Sequence, residues 1–480
     1  MKDKTKHKPK RDPESEKSSD VMYRMKNFAR TYDVVLLFVL IYLAYNTVTR
    51  MNWSGDVVPA GYLPLSLILH QTVYFDSILN VAEIGPNLAY AFPFVNGHYV
   101  SLFPIVTPVL ITPLYFISCI PLIMFGIPLD NSLIVVMAKT SATIIAALSC
   151  VFVYLTVKEL FSRKTALITV FVYAFATSTW SVSSQALWQH GTVELLLILM
   201  LYLILKHEQE PSRTVVMVLG ILSGLFIFNR PPDAVLLIPV IGYIVWYDRK
   251  NLPLYGISAA FAGFPFLMYN LLIFGNVFGG YEQNLDFFVF SAASIGNFAG
   301  LLLAPNVGLL VFSPVLILSV FGYLKLNSIP SERIRRVLTL FGPVIILEIL
   351  VYSFFGLWES SVAYSYGQRF LTGLVPVLVI FIAIVIHDMD FAQQKNSALR
   401  AARAVIILLV VVSVLIQAIG VFLYPYYPDR TTSSERTWDW NNSIIVGSFW
   451  YGIAHADSVT VYTFPPLPVL FHYQFGPVVK

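Results

Sequence analysis

The chain has 480 residues, of which 57% are hydrophobic and only 12% are charged, and its mean hydropathy is +0.71. A composition this apolar excludes a water-soluble globular domain and indicates a polytopic integral membrane protein. The formal net charge is +4, and both cysteines, Cys119 and Cys150, lie in apolar stretches, so the sequence offers no disulfide framework and no cysteine-based metal cluster.

The first 32 residues are polar and basic. They contain ten Lys or Arg and five Asp or Glu, together with Pro9 and Pro13. The charged region is too long for a cleavable signal peptide. We therefore predict that residues 1–32 form a disordered basic tail on the cytoplasmic leaflet.

About twelve apolar runs follow between residues 34 and 423. One alternate set of the loops between them carries fourteen basic residues, which are Lys158, Arg163, Lys164, Lys206, Arg213, Arg249, Lys250, Lys325, Arg333, Arg335, Arg336, Lys395, Arg400 and Arg403. Basic loops and the basic N-terminus should share the cytoplasmic side. If all the runs crossed the membrane, these loops would lie outside, so one early run should not span.

The run at 105–125 is the best candidate for a segment that does not cross. It follows Pro104 and contains three prolines, each of which removes a backbone donor inside an apolar segment. We expect an interfacial or re-entrant helix here. The fold class is then an all-α polytopic membrane protein with about 11 transmembrane helices in residues 33–423, a large first exterior loop at 50–131 and a small exterior tail at 424–480.

Three arginines break the charge rule of this topology. Arg50 directly follows the first span and is explained as a snorkelling membrane anchor. The other two lie at the exterior membrane boundary. Arg230 lies in "FNRPPD" and Arg369 in "YSYGQRF". Each has a local carboxylate as an alternative partner, Asp233 for Arg230 and Glu359 for Arg369. The other interpretation is an anionic ligand from the membrane, most simply a lipid phosphate held by the guanidinium group.

Lys139 is a cation within a predicted span. A charged side chain is costly in lipid, so it should face the protein interior. Its role there is either donor phosphate binding or structural pairing.

Asp56 is the most informative exterior carboxylate. It follows Gly55 a short distance after the first span, which fixes it at the membrane surface. A carboxylate at that depth can take a proton from a hydroxyl while the leaving group stays anchored in lipid.

Several segments, in this order, resemble the integral-membrane glycosyltransferases of the C superfamily, which include protein O-mannosyltransferases and aminoarabinose transferases. The segments are "SGDVVPAGYLPLSLI", "NGHYVSLFPIVTPVLITPLYF", "ATSTWSVSSQALWQHGTVELLLILMLYLI", "LSGLFIFNRPPDAVLLIPVIGY", "APNVGLLVFSPVLILSVFGY" and "YSYGQRFLTGLVPVL". They cover most of residues 34–390. The resemblance implies a helical module whose first exterior loop carries interfacial helices and a catalytic Asp, which matches Asp56.

The resemblance also directs attention to further side chains. His190 and Glu194 in "QALWQHGTVE" stand where relatives often place polar residues that line the site, and Glu83 is a further acid of the first loop. Trp188 and Tyr366 are candidates for stacking on sugar faces, although interfacial aromatics are also common membrane anchors. Many relatives carry paired acids in the first loop, whereas Asp56 is followed by valines. A divalent metal is therefore possible but not indicated, and no metal ligands are assigned.

The resemblance, together with the positions of Asp56, Arg230 and Arg369, implies an inverting glycosyltransferase of the cell membrane. It would move a sugar from a polyprenyl-phosphate donor to a hydroxyl of a glycan, lipid or protein acceptor at the exterior face. Its expected partners are those substrates and membrane lipids, and not nucleic acid. The alternative is a transporter or flippase of lipid-linked sugars, which would require polar residues near the bilayer midplane.

Overall fold

The computed structural model describes residues 32–48, 54–79, 88–127, 130–360, 365–389, 397–424 and 434–454. These residues are mostly helical, with one antiparallel pair of short strands, β1 (Phe94–Val95) and β2 (His98–Tyr99). The predicted helical membrane fold is thus confirmed in its class, with the hairpin as an addition. The predicted tail at residues 1–32 lies almost wholly outside the described residues.

The described ranges contain eighteen α-helices. They are α1 (Asp33–Tyr45), α2 (Val58–His70), α3 (Val106–Met124), α4 (Asn131–Leu160), α5 (Arg163–Phe175), α6 (Gln189–Gln209), α7 (Arg213–Asn229), α8 (Ile238–Tyr247), α9 (Leu252–Phe274), α10 (Glu282–Leu285), α11 (Ala293–Leu303), α12 (Leu309–Phe312), α13 (Leu318–Leu324), α14 (Glu332–Ser353), α15 (Val375–Asp388), α16 (Ser397–Phe422), α17 (Ser434–Thr437) and α18 (Ile444–Ala454).

Shorter helical pieces connect or extend them. A π-helical turn covers Thr179–Ser183, and 3₁₀ helices cover Ala89–Ala91, Pro231–Leu237, Arg249–Asn251, Gly279–Tyr281, Pro314–Ile317, Leu326–Ser328, Trp358–Ser360 and Thr372–Leu374.

Five of the described helices are long and apolar enough to cross a membrane: α3, α4, α6, α9 and α16. Several other predicted spans are shorter apolar helices of 10–17 residues, some of them extended by a 3₁₀ turn. The predicted span at 337–355 lies mostly in α14, which has 22 residues. The chain therefore has several membrane-type helices, and the number of eleven spans stays a prediction.

The proline-containing segment at 105–125 forms one helix, α3, with Pro113 and Pro121 inside it. One side of α3 packs on α2, and its C-terminal half presents apolar side chains such as Phe116 and Ile123 on the surface. Its length and composition are those of a membrane-crossing helix. An interfacial path for this segment rests on the charge argument alone and stays a prediction.

The core lies around α4, α6 and α15, which pack against one another. Helix α15 is hydrophobic on all sides, and every residue from Val375 to Ile386 is buried. A helix of this kind belongs in the interior of the bundle. Helix α6 crosses the same interior, and its N-terminal end carries several of the predicted site residues.

Helices α7 and α9 approach each other closely through small residues. Gly220 and Gly224 of α7 are one turn apart, and a Cβ at either position would overlap the carbonyl oxygen of Tyr255 or Ala259 of α9. Small residues at this spacing allow two membrane helices to bring their backbones together.

The strand pair of the first loop is held from two sides. The carboxylate of Asp76 lies 2.8 Å from the Nδ1 atom of His98 and accepts the backbone N–H of Tyr99 at 3.0 Å. The side chain of Asn96, at the hairpin tip, donates to the carbonyl oxygen of Ile273 at 3.2 Å. The hairpin is therefore fixed to the C-terminal end of α9.

Asn306 fixes the described part of the C-terminal tail to the bundle. Its buried amide nitrogen donates to the carbonyl oxygen of Arg436 at 2.6 Å and to that of Asp439 at 3.2 Å. Its carbonyl oxygen accepts the backbone N–H of Ile444 at 2.5 Å. One side chain thus holds the segment between α17 and α18.

Candidate active site

Asp56 lies in the turn that leads into α2. The N–H group of Val57 donates to the carbonyl oxygen of Ser54 at 3.0 Å, which closes the turn. Gly55 leaves room for the hydroxyl end of the exposed Tyr90 side chain, which a Cβ at this position would displace. The side chain of Asp56 is 23% exposed, so its carboxylate is accessible at the edge of the bundle.

Arg369 is the ion-pair partner of Asp56 in the fold. Its Nη2 atom lies 3.6 Å from the Oδ2 atom of Asp56, and its side chain is only 5% exposed. The guanidinium carbon lies 5.1 Å from the ring centroid of Trp188 and 4.8 Å from that of Phe370. The cation is therefore held between aromatic rings, which orient the planar guanidinium group.

Arg230 is buried on another side of Phe370, with 5.7 Å between the guanidinium carbon and the ring centroid. Its Nε atom donates to Asp233 at 2.9 Å, and its Nη2 atom donates to the hydroxyl of Tyr352 at 2.7 Å. The local pairing of Arg230 with Asp233 that the sequence suggested is thus present. Tyr352 also donates to Asp233 and stacks on Phe370, so these groups form one buried network.

The segment Trp188 to His190 lines the same region with buried polar atoms. The exposed fractions of Trp188, Gln189 and His190 are 2%, 5% and 0%. Within the described residues, hydrogen-bond partners are missing for Trp188 Nε1, Gln189 Nε2 and both ring nitrogens of His190. The His190 ring lies 6.1 Å from that of Phe370. Buried polar atoms are nearly always paired in proteins, so these four atoms are available to hydrogen-bond with water or with a ligand that enters the site.

Three polar side chains hold this segment in place. The amide nitrogen of Asn229 donates to the carbonyl oxygen of Gln189 at 3.0 Å. The hydroxyl of Thr107 donates to Asn229 Oδ1 at 2.7 Å and lies 2.8 Å from the hydroxyl of Thr192. Helices α3 and α7 thereby fix the N-terminal end of α6.

Tyr281, after α9, extends toward the same site. Its hydroxyl donates to Gln189 Oε1 at 2.7 Å. Burial raises the pKa of Tyr281 to about 12; the nearby cations Arg230 and Arg369 act in the opposite direction, while the Asp56 carboxylate adds to the increase. The phenol therefore stays protonated at neutral pH and lies among the charged groups of the site.

Lys139 is buried, as predicted, and its partners are neutral. Its ammonium group donates to the carbonyl oxygen of Ser184 at 2.5 Å and to Gln185 Oε1 at 2.9 Å. Both partners lie three or four residues before Trp188. The contacts of Lys139 therefore position the segment that begins at Trp188, and a direct phosphate contact stays a prediction.

Glu194 and Tyr366 have partners of their own. Glu194 is buried in α6, where its carboxylate accepts from Tyr173 at 3.2 Å and from Thr179 at 3.3 Å. The hydroxyl of Tyr366 donates to the carbonyl oxygen of Ile416 at 2.9 Å. Glu83 lies outside the described residues. A group of three or more His, Cys, Asp or Glu side chains able to hold a metal ion is not found in the described ranges.

Five of the selected residues therefore come together: Asp56, Arg369, Arg230, Trp188 and His190. The sequence analysis did not select Gln189, Tyr281, Phe370 or Tyr352. Gln189 and Phe370 each adjoin a selected residue inside a quoted motif, whereas Tyr281 and Tyr352 carry no sequence signal, because their proximity depends on helix packing.

Comparison with known proteins agrees with this fold. The family model described as dolichyl-phosphate-mannose-protein mannosyltransferase matches residues 129–269. No curated protein sequence matches the chain.

Two crystal structures of ArnT from Cupriavidus metallidurans are similar over 90% of this chain at 12% identity, each with a TM-score of 0.52. One is bound to undecaprenyl phosphate and is covered over 70% of its length, and the other is in the apo state and is covered over 71%. The Archaeoglobus fulgidus oligosaccharyltransferase in complex with zinc and sulfate aligns with 92% of this chain and 59% of its own, at 15% identity and a TM-score of 0.47. The matched family and the ArnT-like fold confirm that this chain resembles the membrane glycosyltransferases of the C superfamily.

Proposed function

We propose that the protein is an inverting glycosyltransferase that transfers a sugar from a polyprenyl-phosphate donor to an acceptor hydroxyl. The observation that carries this proposal is the group of four buried polar atoms on Trp188, Gln189 and His190 that lack partners among the described residues, beside the Asp56–Arg369 ion pair. A polar ligand that enters between them would satisfy atoms that are otherwise costly to bury.

The electrostatics of the site favour an anion as part of that ligand. The guanidinium groups of Arg369 and Arg230 flank Phe370. Helix α6 begins nearby, at Gln189. A helix N-terminus carries partial positive charge and free N–H groups. We assign the donor phosphate to this region, and the undecaprenyl phosphate bound to the similarly folded ArnT supports the assignment.

The proposed reaction is a single displacement. The carboxylate of Asp56 takes the proton of the acceptor hydroxyl, whose oxygen forms a bond to the anomeric carbon. The bond from that carbon to the phosphate oxygen breaks, and its electron pair leaves with the polyprenyl phosphate. Arg369 and Arg230 offset the negative charge that grows on the phosphate in the transition state. Trp188 is buried against Arg369, so we assign it to orienting that guanidinium group rather than to stacking on the sugar.

We place the site at the exterior face, with the N-terminus in the cytoplasm, on the basis of the fourteen basic loop residues. The polyprenyl chain would remain in the bilayer while its phosphate reaches the edge of the bundle. This orientation keeps the donor anchored while the acceptor arrives from the aqueous side.

The experiment is to incubate purified protein in lipid nanodiscs with polyprenyl-phosphate sugars and acceptor extracts. Release of polyprenyl phosphate together with a new glycosidic product is the expected result. A protein that binds these donors but forms no product under any combination would contradict the proposal.

A flippase is the second candidate, because Glu194 lies in a buried polar cluster with Ser149, Tyr173 and Thr179 inside the bundle. Polar groups at that depth are typical of transport pathways. A flippase would move the lipid-linked sugar between leaflets and leave its glycosyl phosphate bond intact. Recovery of unchanged donor in the opposite leaflet would therefore favour transport.

A further inference from the structure

A cavity of about 480 Å³ lies beside the candidate active site, between the hairpin β1–β2 and the chain that follows α9. Asn96 lines it from the hairpin, and Asn276, Glu282 and Gln283 line it from the opposite side. The last turn of α9, Leu271 to Phe274, forms an apolar wall of the cavity. The cavity is wide enough for a group the size of one or two sugar rings.

The polar side chains of the lining are rich in hydrogen-bond acceptors, and none of the lining residues that the structure describes is basic. The amide nitrogen of Asn276 is already engaged, because it donates to Glu282 Oε2 at 2.6 Å and to the carbonyl oxygen of Phe274 at 3.3 Å. The accessible acceptors are the Glu282 carboxylate and the side-chain amide oxygens of Asn96 and Gln283, three residues that are exposed. The C-terminal end of α9 adds partial negative charge. Such a lining accepts hydrogen bonds and repels anions.

The cavity shares a wall with the candidate active site. The turn Gly279–Tyr281 presents Gly279 and Gly280 to the cavity, while Tyr281 reaches Gln189 on the other side. Gly280 is needed for this close packing, because a Cβ there would overlap the carbonyl oxygen of Leu102. Only the turn Gly279–Tyr281 would separate a molecule bound in the cavity from the charged groups of the candidate active site.

We propose that this cavity, which we call the Asn276 cavity, binds the acceptor, and that the acceptor is an uncharged, polyhydroxylated glycan. The identification of the bound glycan as the acceptor depends on the proposed function, whereas the prediction that the cavity binds an uncharged glycan does not. Sugar hydroxyls would donate to the Glu282 carboxylate and to the side-chain amide oxygens of Asn96 and Gln283. A phosphorylated or sulfated glycan would meet the Glu282 carboxylate and the negative helix end with no basic residue of the lining to offset them.

The test is binding of the purified full-length protein, without donor, to an array of uncharged, phosphorylated, sulfated and sialylated glycans. Binding should be confined to uncharged glycans. Asn276→Leu should weaken it about tenfold, because it removes the hydrogen bond that positions the Glu282 carboxylate in the lining. Gln283→Leu, on the exposed rim, provides a second variant in case Asn276→Leu does not fold. Asp286→Asn is the control, because Asp286 lies on the same segment and does not line the cavity.

Equal binding of anionic and uncharged glycans, no glycan binding at all, or full binding by both folded variants would overturn the assignment. Because the array requires no catalysis, these outcomes are independent of whether the protein transfers sugar. If transfer is established, the same variants should raise the KM for acceptor and leave the KM for donor unchanged.

Discussion

Arg369→Ala is expected to weaken donor binding and to slow transfer. Arg369 is almost fully buried, lies 3.6 Å from Asp56 and is held between two aromatic rings. Its position is therefore fixed before the donor arrives. In our account its guanidinium group contacts the donor phosphate, whose charge increases as the glycosyl bond breaks, so both binding and turnover depend on it.

A hydrogen bond to a charged group contributes about 1.5–3 kcal/mol, which corresponds to roughly a ten- to a hundredfold loss in kcat/KM for donor. Arg369→Lys should recover only part of this loss. The ammonium group keeps the charge but cannot form the planar, two-point contact or lie between the rings of Trp188 and Phe370.

The assay measures the donor Kd and the single-turnover rate for parent, Arg369→Ala and Arg369→Lys in nanodiscs, with thermal unfolding as a check of folding. Arg336→Ala is the matched control, because Arg336 is 61% exposed and pairs with Glu332 within α14. If Arg369→Ala is folded and keeps the parental donor Kd and rate, the phosphate does not bind at Arg369.

Three further predictions concern the scaffold. Asn306→Ala should speed hydrogen exchange and proteolysis within 434–454, because each buried polar group left unpaired costs about 1–3 kcal/mol. Gly224→Val should lower the unfolding temperature because its side chain would overlap the backbone of α9, whereas Gly256→Ala should be neutral, since a Cβ there meets no atom within 4 Å. Burial raises the pKa of Asp76, but its hydrogen bonds to the hairpin outweigh this and lower it. The hairpin β1–β2 should therefore keep its protection against amide hydrogen exchange at pH values above the ordinary Asp pKa of about 4. It should lose this protection as the pH falls through the lowered pKa of Asp76.

The fold class was predictable from the sequence, and the main candidate site residues were selected from it, for definite physical reasons. A membrane imposes composition and loop charge, so helical spans appear as apolar runs. Asp56 follows the first apolar run at a short distance, and Arg230 and Arg369 stand out because they contradict the charge pattern. Each of these signals is local in the sequence, and these three residues lie in one region of the structure.

Other features depend on contacts between distant segments. Tyr281 reaches Gln189 only because the chain after α9 folds back over the end of α6. The sequence identified Lys139 as a cation within a span but contained no sign that its partners would be Ser184 and Gln185. The Asn276 cavity was likewise not predictable, because it is formed jointly by the hairpin and the end of α9.

The most direct test of the central claim is the transfer rate of Asp56→Asn, measured in a single turnover with saturating donor and acceptor. The amide is nearly the same size as the carboxylate but cannot accept the proton of the acceptor hydroxyl. General-base catalysis contributes about 10²–10⁴-fold, so we expect a rate at least about a hundredfold below that of the parent, with folding and donor binding retained. Asp286→Asn, which changes an exposed carboxylate on another loop, should transfer at the parental rate. A folded Asp56→Asn protein that transfers sugar as fast as the parent would show that Asp56 is not the base.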